Sequence, residues 1–292
     1  MGTSGSYGGP GVGTSIVPTW LEPLGTGAPP AASPPDGDAP SDDAVPAVPA
    51  APPDQPAMQP SQLMGSMSAA RADFTRFAGS GGSDRRSLRR AVANYVSGST
   101  GGARQAARRM GSSRNSSVRL LNFLTDVQAR GAAEALRTLN LEGLAGQPIE
   151  EIFLGLVDYV VPEGGSVDEG IARDAFIETI ADLASLGVGD LDALTADQMH
   201  TVFEMYATHA IEARIYNDIG TKGIKLPRDI AAVNRIQAQL HDFVRGGVSD
   251  ALTAARAAFG ALTTDRVLTF VADVYDRAFD VLQTLGEAAE AT

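Results

Sequence analysis

The sequence predicts an all-α protein, a multi-helix bundle preceded by a long disordered tail that is rich first in glycine and then in proline and alanine. From residue 63 onward, apolar residues recur at steps of three and four, which is typical of amphipathic helices. Alternation with a period of two, which would predict strands, is nearly absent. Thirteen of the seventeen prolines lie between Pro18 and Pro60, in a segment without periodicity that we expect to remain unfolded.

Changes in composition divide the chain into three segments. We interpret residues 1–22 as a glycine-rich recognition tail and residues 23–62 as a disordered acidic linker rich in proline and alanine. Residues 63–292 are interpreted as one all-helical domain. Within it, an arginine-rich part at 63–140 precedes an acidic helical bundle at 141–292.

The formal net charge of −12 is distributed unevenly along the chain. Residues 1–70 carry six acidic and no basic residues, whereas residues 71–137 carry thirteen arginines and four acidic residues, a net charge of +9. Residues 138–292 carry twenty-five acidic and ten basic residues, a net charge of −15. The uneven distribution of charge along the chain is more informative about binding partners than the net charge is.

Helices are expected throughout the folded part. Glycine and serine residues separate those of the arginine-rich part, whose expected ranges are 63–78, 84–97, 102–110 and 114–139. Downstream, Pro148 stands at the expected first position of a shorter helix that Pro162 ends.

Two capping boxes predict where the next helices begin. Ser166 and Glu169 form the first, and Gly187 stops the helix that follows. Thr195 and Gln198 form the second, whose helix is expected to end near residue 220.

Two further helices complete the expected bundle. One follows Pro227, and the other runs from Thr264 to about Gly286. The buried stripe expected for the last helix, at alternating steps of four and three, consists of Val267, Val271, Val274, Ala278, Val281 and Leu285.

Composition and motifs argue against several classes of protein. The chain has no cysteine, which excludes disulfides, iron–sulfur clusters and thiol catalysis. No apolar run approaches the roughly 20 residues needed to span a bilayer, and no signal peptide opens the chain, so we expect a cytoplasmic protein without membrane contact. The glycine-rich stretch at 8–15 lacks the preceding strand and the lysine of a phosphate-binding loop. The stretch at 220–225 contains both lysines of the chain, but it lacks the glycine four residues earlier in such a loop and lies between two expected helices. We therefore expect no enzymatic activity and no cofactor.

The three histidines, His200, His209 and His241, are candidate metal ligands. His209 and Glu212 stand three residues apart on one expected helix, but a di-iron bundle needs a matching Glu-x-x-His motif elsewhere, and the sequence has none. We expect solvated or hydrogen-bonded structural histidines and no metal.

A cluster of arginines forms a candidate site for binding an anion or a partner. Arginine outnumbers lysine 21 to 2 throughout the chain, so arginine alone signals little. A polyanion such as nucleic acid is one candidate ligand, and pairing within the chain or contact with an acidic protein partner is the other interpretation. The candidate residues are Arg85, Arg86, Arg89, Arg90, Arg104, Arg108 and Arg109.

The first twenty residues carry a resemblance to a known family. Met-Gly-Thr-Ser at 1–4, the stretch 6–10 and Pro-x-Trp at 18–20 resemble the start of QatB proteins, the associated subunits of bacterial Qat anti-phage defence systems. The rest of the chain is similar to the family in architecture, with a proline-rich middle and a helical C-terminal region.

This resemblance implies partners and a modification. The implied neighbours are an ATPase, a QueC-like enzyme and a TatD-like nuclease. By analogy with related defence systems, the QueC-like enzyme would attach a deazaguanine to the amine of Gly2, exposed once Met1 is removed. The residues expected to enter or contact that enzyme are Thr3, Ser4, Ser6, Gly8, Gly9, Pro10, Gly11 and Trp20.

Two alternatives stay open at this point. In one, the protein is a structural adaptor that bridges the ATPase and the nuclease while its tail is inert. In the other, the arginine cluster makes it a nucleic-acid-binding module.

Overall fold

The computed structural model describes residues 60–187, 189–220, 224–259 and 262–288. Every regular element in these ranges is helical, which confirms the all-α prediction. The expected recognition tail at 1–22 and the linker as far as residue 59 lie outside the described residues. The first helix begins at Pro60, three residues before the expected domain boundary.

The arginine-rich part contains five helices, joined by tight turns. They are α1 at Pro60–Gly79, α2 at Arg85–Asn94, α3 at Ala103–Arg108, α4 at Gly111–Arg130 and α5 at Ala132–Thr138. A π-helical turn at Tyr95–Ser99 extends α2.

The single helix expected at 114–139 is wrong, because the chain breaks at Gly131. Gly131 has φ of 87°, which a helix does not accommodate and which glycine adopts with little strain. Its N–H still donates to the carbonyl of Val127, so α4 ends there and α5 starts in a new direction.

The acidic part contains α6 at Ile149–Gly155, α7 at Val157–Val160, α8 at Val167–Leu183, α9 at Ala196–Ile219, α10 at Ile230–Phe259 and α11 at Thr264–Ala288. Pro148 precedes the first helical residue of α6 rather than occupying it. The helix expected up to Pro162 is interrupted at Leu156. The Leu156 N–H donates both to the carbonyl of Ile152, four residues back, and to the carbonyl of Phe153, three residues back.

Both predicted capping boxes are confirmed. The Ser166 hydroxyl accepts the N–H of Glu169 at 3.2 Å, and the Glu169 carboxylate accepts the N–H of Ser166 at 2.9 Å. Thr195 and Gln198 repeat this exchange at the start of α9. Each box satisfies two N–H groups that the helix itself leaves unpaired. The start of each helix could therefore be predicted from a motif of four residues.

Helix α11 organises the core. It packs against α2, α3, α4 and α10, while α9 lies between α8 and α10. The buried apolar side chains of these helices form one continuous cluster. Some polar groups inside it are paired, as where the hydroxyls of Ser117 and Tyr275 lie 3.1 Å apart, whereas the buried hydroxyl of Thr208 has no hydrogen-bond partner among the described residues.

The buried stripe of α11 departs from the expected one at its C-terminal end. Val281 is half-buried and Leu285 is 39% exposed, whereas Leu282 and Gly286 are buried. Steps of four and three average 3.5 residues per turn and an α-helix has 3.6, so the buried face drifts by one position over the length of the helix.

Gly286 holds α11 directly against α2. A Cβ atom at this position would lie 2.5 Å from the carbonyl oxygen of Arg89 and would overlap the Cβ of Ala93. Only a residue without a side chain permits this approach, which fixes the position of the arginine-bearing helix.

Candidate functional site

Gly2, the expected acceptor, and the tail residues from Thr3 to Trp20 lie outside the described residues. The arginine cluster and the histidines do lie within them.

The arginine cluster divides into exposed and partly buried members. On α2, the side chains of Arg85, Arg86 and Arg89 are exposed. On α3, Arg104 and Arg108 are exposed. Arg90 and Arg109 are half-buried, so the cluster is not one uniform basic strip.

Two of the exposed arginines border a shallow groove between α2 and α10. Arg85, Leu88 and Arg89 form one side of this groove of about 210 Å³, and Gln239, Asp242 and Phe243 form the other. The Arg85 Nε donates to the Gln239 side chain at 2.8 Å. The groove therefore places two guanidinium groups beside a mixed lining that includes the carboxylate of Asp242 and the ring of Phe243.

Arg90 is bound within the protein. Its guanidinium donates at 2.8 Å to Asp73 of α1, whose side chain is almost fully buried. The same carboxylate accepts from Arg76 at 2.6 Å and from Asn94 at 3.0 Å. Arg90 is thus paired within the chain, and Asp73 joins α1 to α2.

A second cluster of ionisable groups lies in a cleft of about 620 Å³ lined by α8, α9 and α10. Its polar lining includes Asp174 and Glu178 of α8, Glu212 of α9, and the imidazoles of His209 and His241. No lysine or arginine is among the described residues that line it. Carboxylates therefore outnumber lysines and arginines among the described residues that line the cleft.

Each cleft histidine is paired with a carboxylate. His209 Nε2 lies 2.8 Å from Asp182 Oδ2, and His241 Nδ1 lies 2.9 Å from Glu212 Oε2. The two imidazole rings are tilted towards each other, with centroids 5.2 Å apart. These contacts agree with the predicted hydrogen-bonded histidines.

Glu212 controls the protonation of His241. The hydrogen bond to the Glu212 carboxylate raises the pKa of the His241 imidazole above its usual value, and partial burial opposes this effect. The carboxylates of Asp182 and Asp242 add smaller contributions in the same direction. A positive charge is accordingly favoured at this point of the cleft.

Tyr216 lies where the cleft meets an apolar groove. Its hydroxyl is buried and has no hydrogen-bond partner among the described residues. Burial raises the pKa of Tyr216 well above its usual value. The adjoining groove, of about 270 Å³, is lined mainly by apolar residues of α1, α9 and α10.

His200 lies apart from this pair. Its ring packs edge-on against Phe259 at 5.1 Å between centroids, and its Nε2 is buried without a hydrogen-bond partner among the described residues. His200 is a packing residue at the other end of α9.

The sequence did not reveal that His241 joins His209 and Glu212. The latter two are three residues apart on α9, but His241 is on α10, and only the antiparallel packing of α9 and α10 brings it there. The available signal was that these two long helices follow one another along the chain, since consecutive elements are usually adjacent in space.

Comparison with protein families gives one match. A family model described as QatB, Qat anti-phage system associated protein, matches residues 101–282, from just before α3 to near the end of α11. No curated protein and no solved structure matches the chain. None of the described helices has the length and hydrophobicity required to cross a membrane.

Proposed function

This chain belongs to the QatB family and is thus a subunit of an anti-phage defence system, and we propose that it is a non-catalytic subunit whose N-terminal Gly2 is bound and modified by a QueC-like enzyme. The modification would be attachment of a deazaguanine to the α-amine. The enzyme consumes ATP in activating the deazaguanine carboxylate, so we place the protein in the cytoplasm.

The observation that carries this proposal is the chemistry of the first residues. Gly2 is small enough for Met1 to be removed, and no side chain obstructs its amine. An α-amine with a pKa of about 8 has an appreciable neutral, nucleophilic fraction at cytoplasmic pH. Thr3, Ser4 and Ser6 are small enough to enter a narrow channel and offer hydroxyls to its walls.

The length of the tail is compatible with this role. Twenty extended residues span at most about 70 Å, which is enough to reach into an active site while the helical body contacts another surface. Trp20, the only tryptophan of the chain, would anchor the tail at the channel entrance. The helical body would then supply the docking surface that brings the enzyme to the tail.

The proposal is tested by phage protection with the whole operon present. Gly2→Pro, which makes the amine secondary and hindered, should reduce protection to that of a strain lacking this gene. Gly13→Pro, the same change inside the tail, should leave protection intact. Protection that survives Gly2→Pro would refute the modification and favour an adaptor with an inert tail, bridging the ATPase and the nuclease.

The exposed arginines support a second candidate function, contact with an anionic partner. Arg85, Arg89, Arg104 and Arg108 have exposed side chains, and each phosphate that such residues neutralise makes binding more sensitive to salt. Reversing the charge of Arg85 and Arg89 to glutamate should abolish salt-dependent DNA binding if the partner is nucleic acid. If the unmodified protein binds no DNA, the nucleic-acid interpretation of this surface fails.

A further inference from the structure

We propose that His209, Glu212 and His241 bind one divalent transition-metal ion of the zinc class, in the cleft lined by α8, α9 and α10. The proposal concerns the helical body alone and does not depend on the modification of Gly2. It assigns a site that the spacing of residues along the chain did not predict.

The three side chains converge from two helices. One potential ligand atom from each lies within 4.8 Å of the others. Ligands at 2.0–2.1 Å from a tetrahedral zinc are about 3.3 Å apart, so small rotations of the side chains close the site. The contact between His241 and Glu212, at 2.9 Å, is already near that separation.

The type of ligand favours zinc over the harder cations. Two imidazoles and one carboxylate form the three-ligand set of open zinc sites, in which water or another molecule takes the fourth position. Magnesium and calcium prefer all-oxygen ligands, so imidazoles disfavour them. The chain has no cysteine, so a thiolate site cannot compete for the ion.

The surroundings also favour a cation. The side chains of His209 and Glu212 are only 13% and 14% exposed, and that of His241 is 30% exposed. Asp174 and Glu178 line the same cleft, and no basic side chain among its described lining residues offsets their charge. Desolvation strengthens the attraction of such a carboxylate for a bound ion.

Asp182 supplies the outer support that ligating histidines usually have. It lies 2.8 Å from Nε2 of His209, which leaves Nδ1 of that ring for the ion. A carboxylate in this position fixes the orientation of the ring and increases its basicity. The fourth position of the ion would face the cleft and accept water or an oxygen ligand from a partner protein.

The test is zinc binding by the full chain, without a histidine tag, after removal of metal with a chelator. Titration calorimetry should show one equivalent of zinc, and cobalt in its place should give the intense visible absorption of a tetrahedral site. His209→Ala and His241→Ala should each weaken zinc binding by roughly 100-fold or more, and Asp182→Asn by about 10-fold to 100-fold, as expected for an outer-shell residue.

A matched control is present on the same helix. His200→Gln removes a histidine that contacts Phe259 instead of the cleft, and should bind zinc as the unmodified chain does. Circular dichroism in the presence of chelator shows whether each variant is folded. The proposal is overturned if the folded, unmodified chain takes up no zinc when zinc is in excess. It is equally overturned if His209→Ala and His241→Ala bind zinc as tightly as the unmodified chain, since the histidines would then only cross-link helices through hydrogen bonds.

Discussion

Asp73 and the cleft lined by α8, α9 and α10 are both clusters of ionisable side chains, but their charge balance is opposite. The Asp73 carboxylate, in a residue only 7% exposed, receives three hydrogen bonds from Arg76, Arg90 and Asn94. In this cluster donors and positive charges are in excess.

In the cleft, carboxylates are in excess. Asp174, Glu178 and Glu212 line it together with two imidazoles and without a described lysine or arginine. The difference shows why net charges of +9 and −15 along the sequence do not locate a binding site. A cluster whose charges are balanced inside the fold stabilises the fold, whereas a cluster with an excess of carboxylates still attracts a cation.

The largest effect that we predict concerns Asp73. Asp73→Ala leaves the guanidiniums of Arg76 and Arg90 without their shared acceptor, and breaking such a largely buried pair should lower the free energy of unfolding by about 3 kcal/mol. Both arginines are partly exposed, which keeps the loss from being larger. Urea denaturation measures it.

The matched control is Asp126→Ala, which removes an exposed pair with Arg130 one turn along α4. It should cost less than about 1 kcal/mol because water screens the pair. Equal losses in the two variants would mean that the Asp73 cluster does not hold α1 to α2.

The next effect tests how the arginine-bearing helix is attached. Gly286→Ala would place a methyl group 2.5 Å from the carbonyl oxygen of Arg89, so we expect α2 and α11 to separate slightly at a cost of about 2 kcal/mol. Gly246→Ala on α10, which meets nothing within 4 Å, should instead stabilise its helix by up to about 1 kcal/mol. Thermal melting measures the stability of both variants. A Gly286→Ala protein as stable as the Gly246→Ala control would rule out the close contact between α2 and α11.

The smallest effect separates two adjacent arginines. Arg90→Ala removes a donor to Asp73 and should lower the free energy of unfolding by about 1.5 kcal/mol. Arg89→Ala removes an exposed side chain and should change it by less than about 0.5 kcal/mol. If the two variants lose the same stability in urea, the division of the cluster into structural and available arginines is wrong.

These residues also show what the sequence could and could not predict. The starts of α8 and α9 were predictable because a capping box is a local exchange of hydrogen bonds between residues three apart. The break at Gly131 was not, because many glycines continue through helices and only the tertiary fold required φ of 87° there. Arg89 and Arg90 look alike in the sequence, since the difference between them is a carboxylate on another helix.

The cleft illustrates the same limit for the candidate site. His209 and Glu212 share a face of α9, which their spacing predicts. The other members, Asp182 and His241, are 27 and 29 residues from their hydrogen-bond partners and belong to α8 and α10. The periodicity of a single helix does not predict which residues of two helices come into contact, because those contacts depend on how the packed helices are aligned with each other.

The central claim, that this subunit is a substrate presented to a QueC-like enzyme, is tested most directly by the mass of its N-terminal peptide. The protein should be expressed with and without its genomic neighbours and digested before mass spectrometry. We predict a peptide that begins at Gly2 and carries a deazaguanine adduct only when the neighbours are present. An unmodified Gly2 in both samples would contradict the claim.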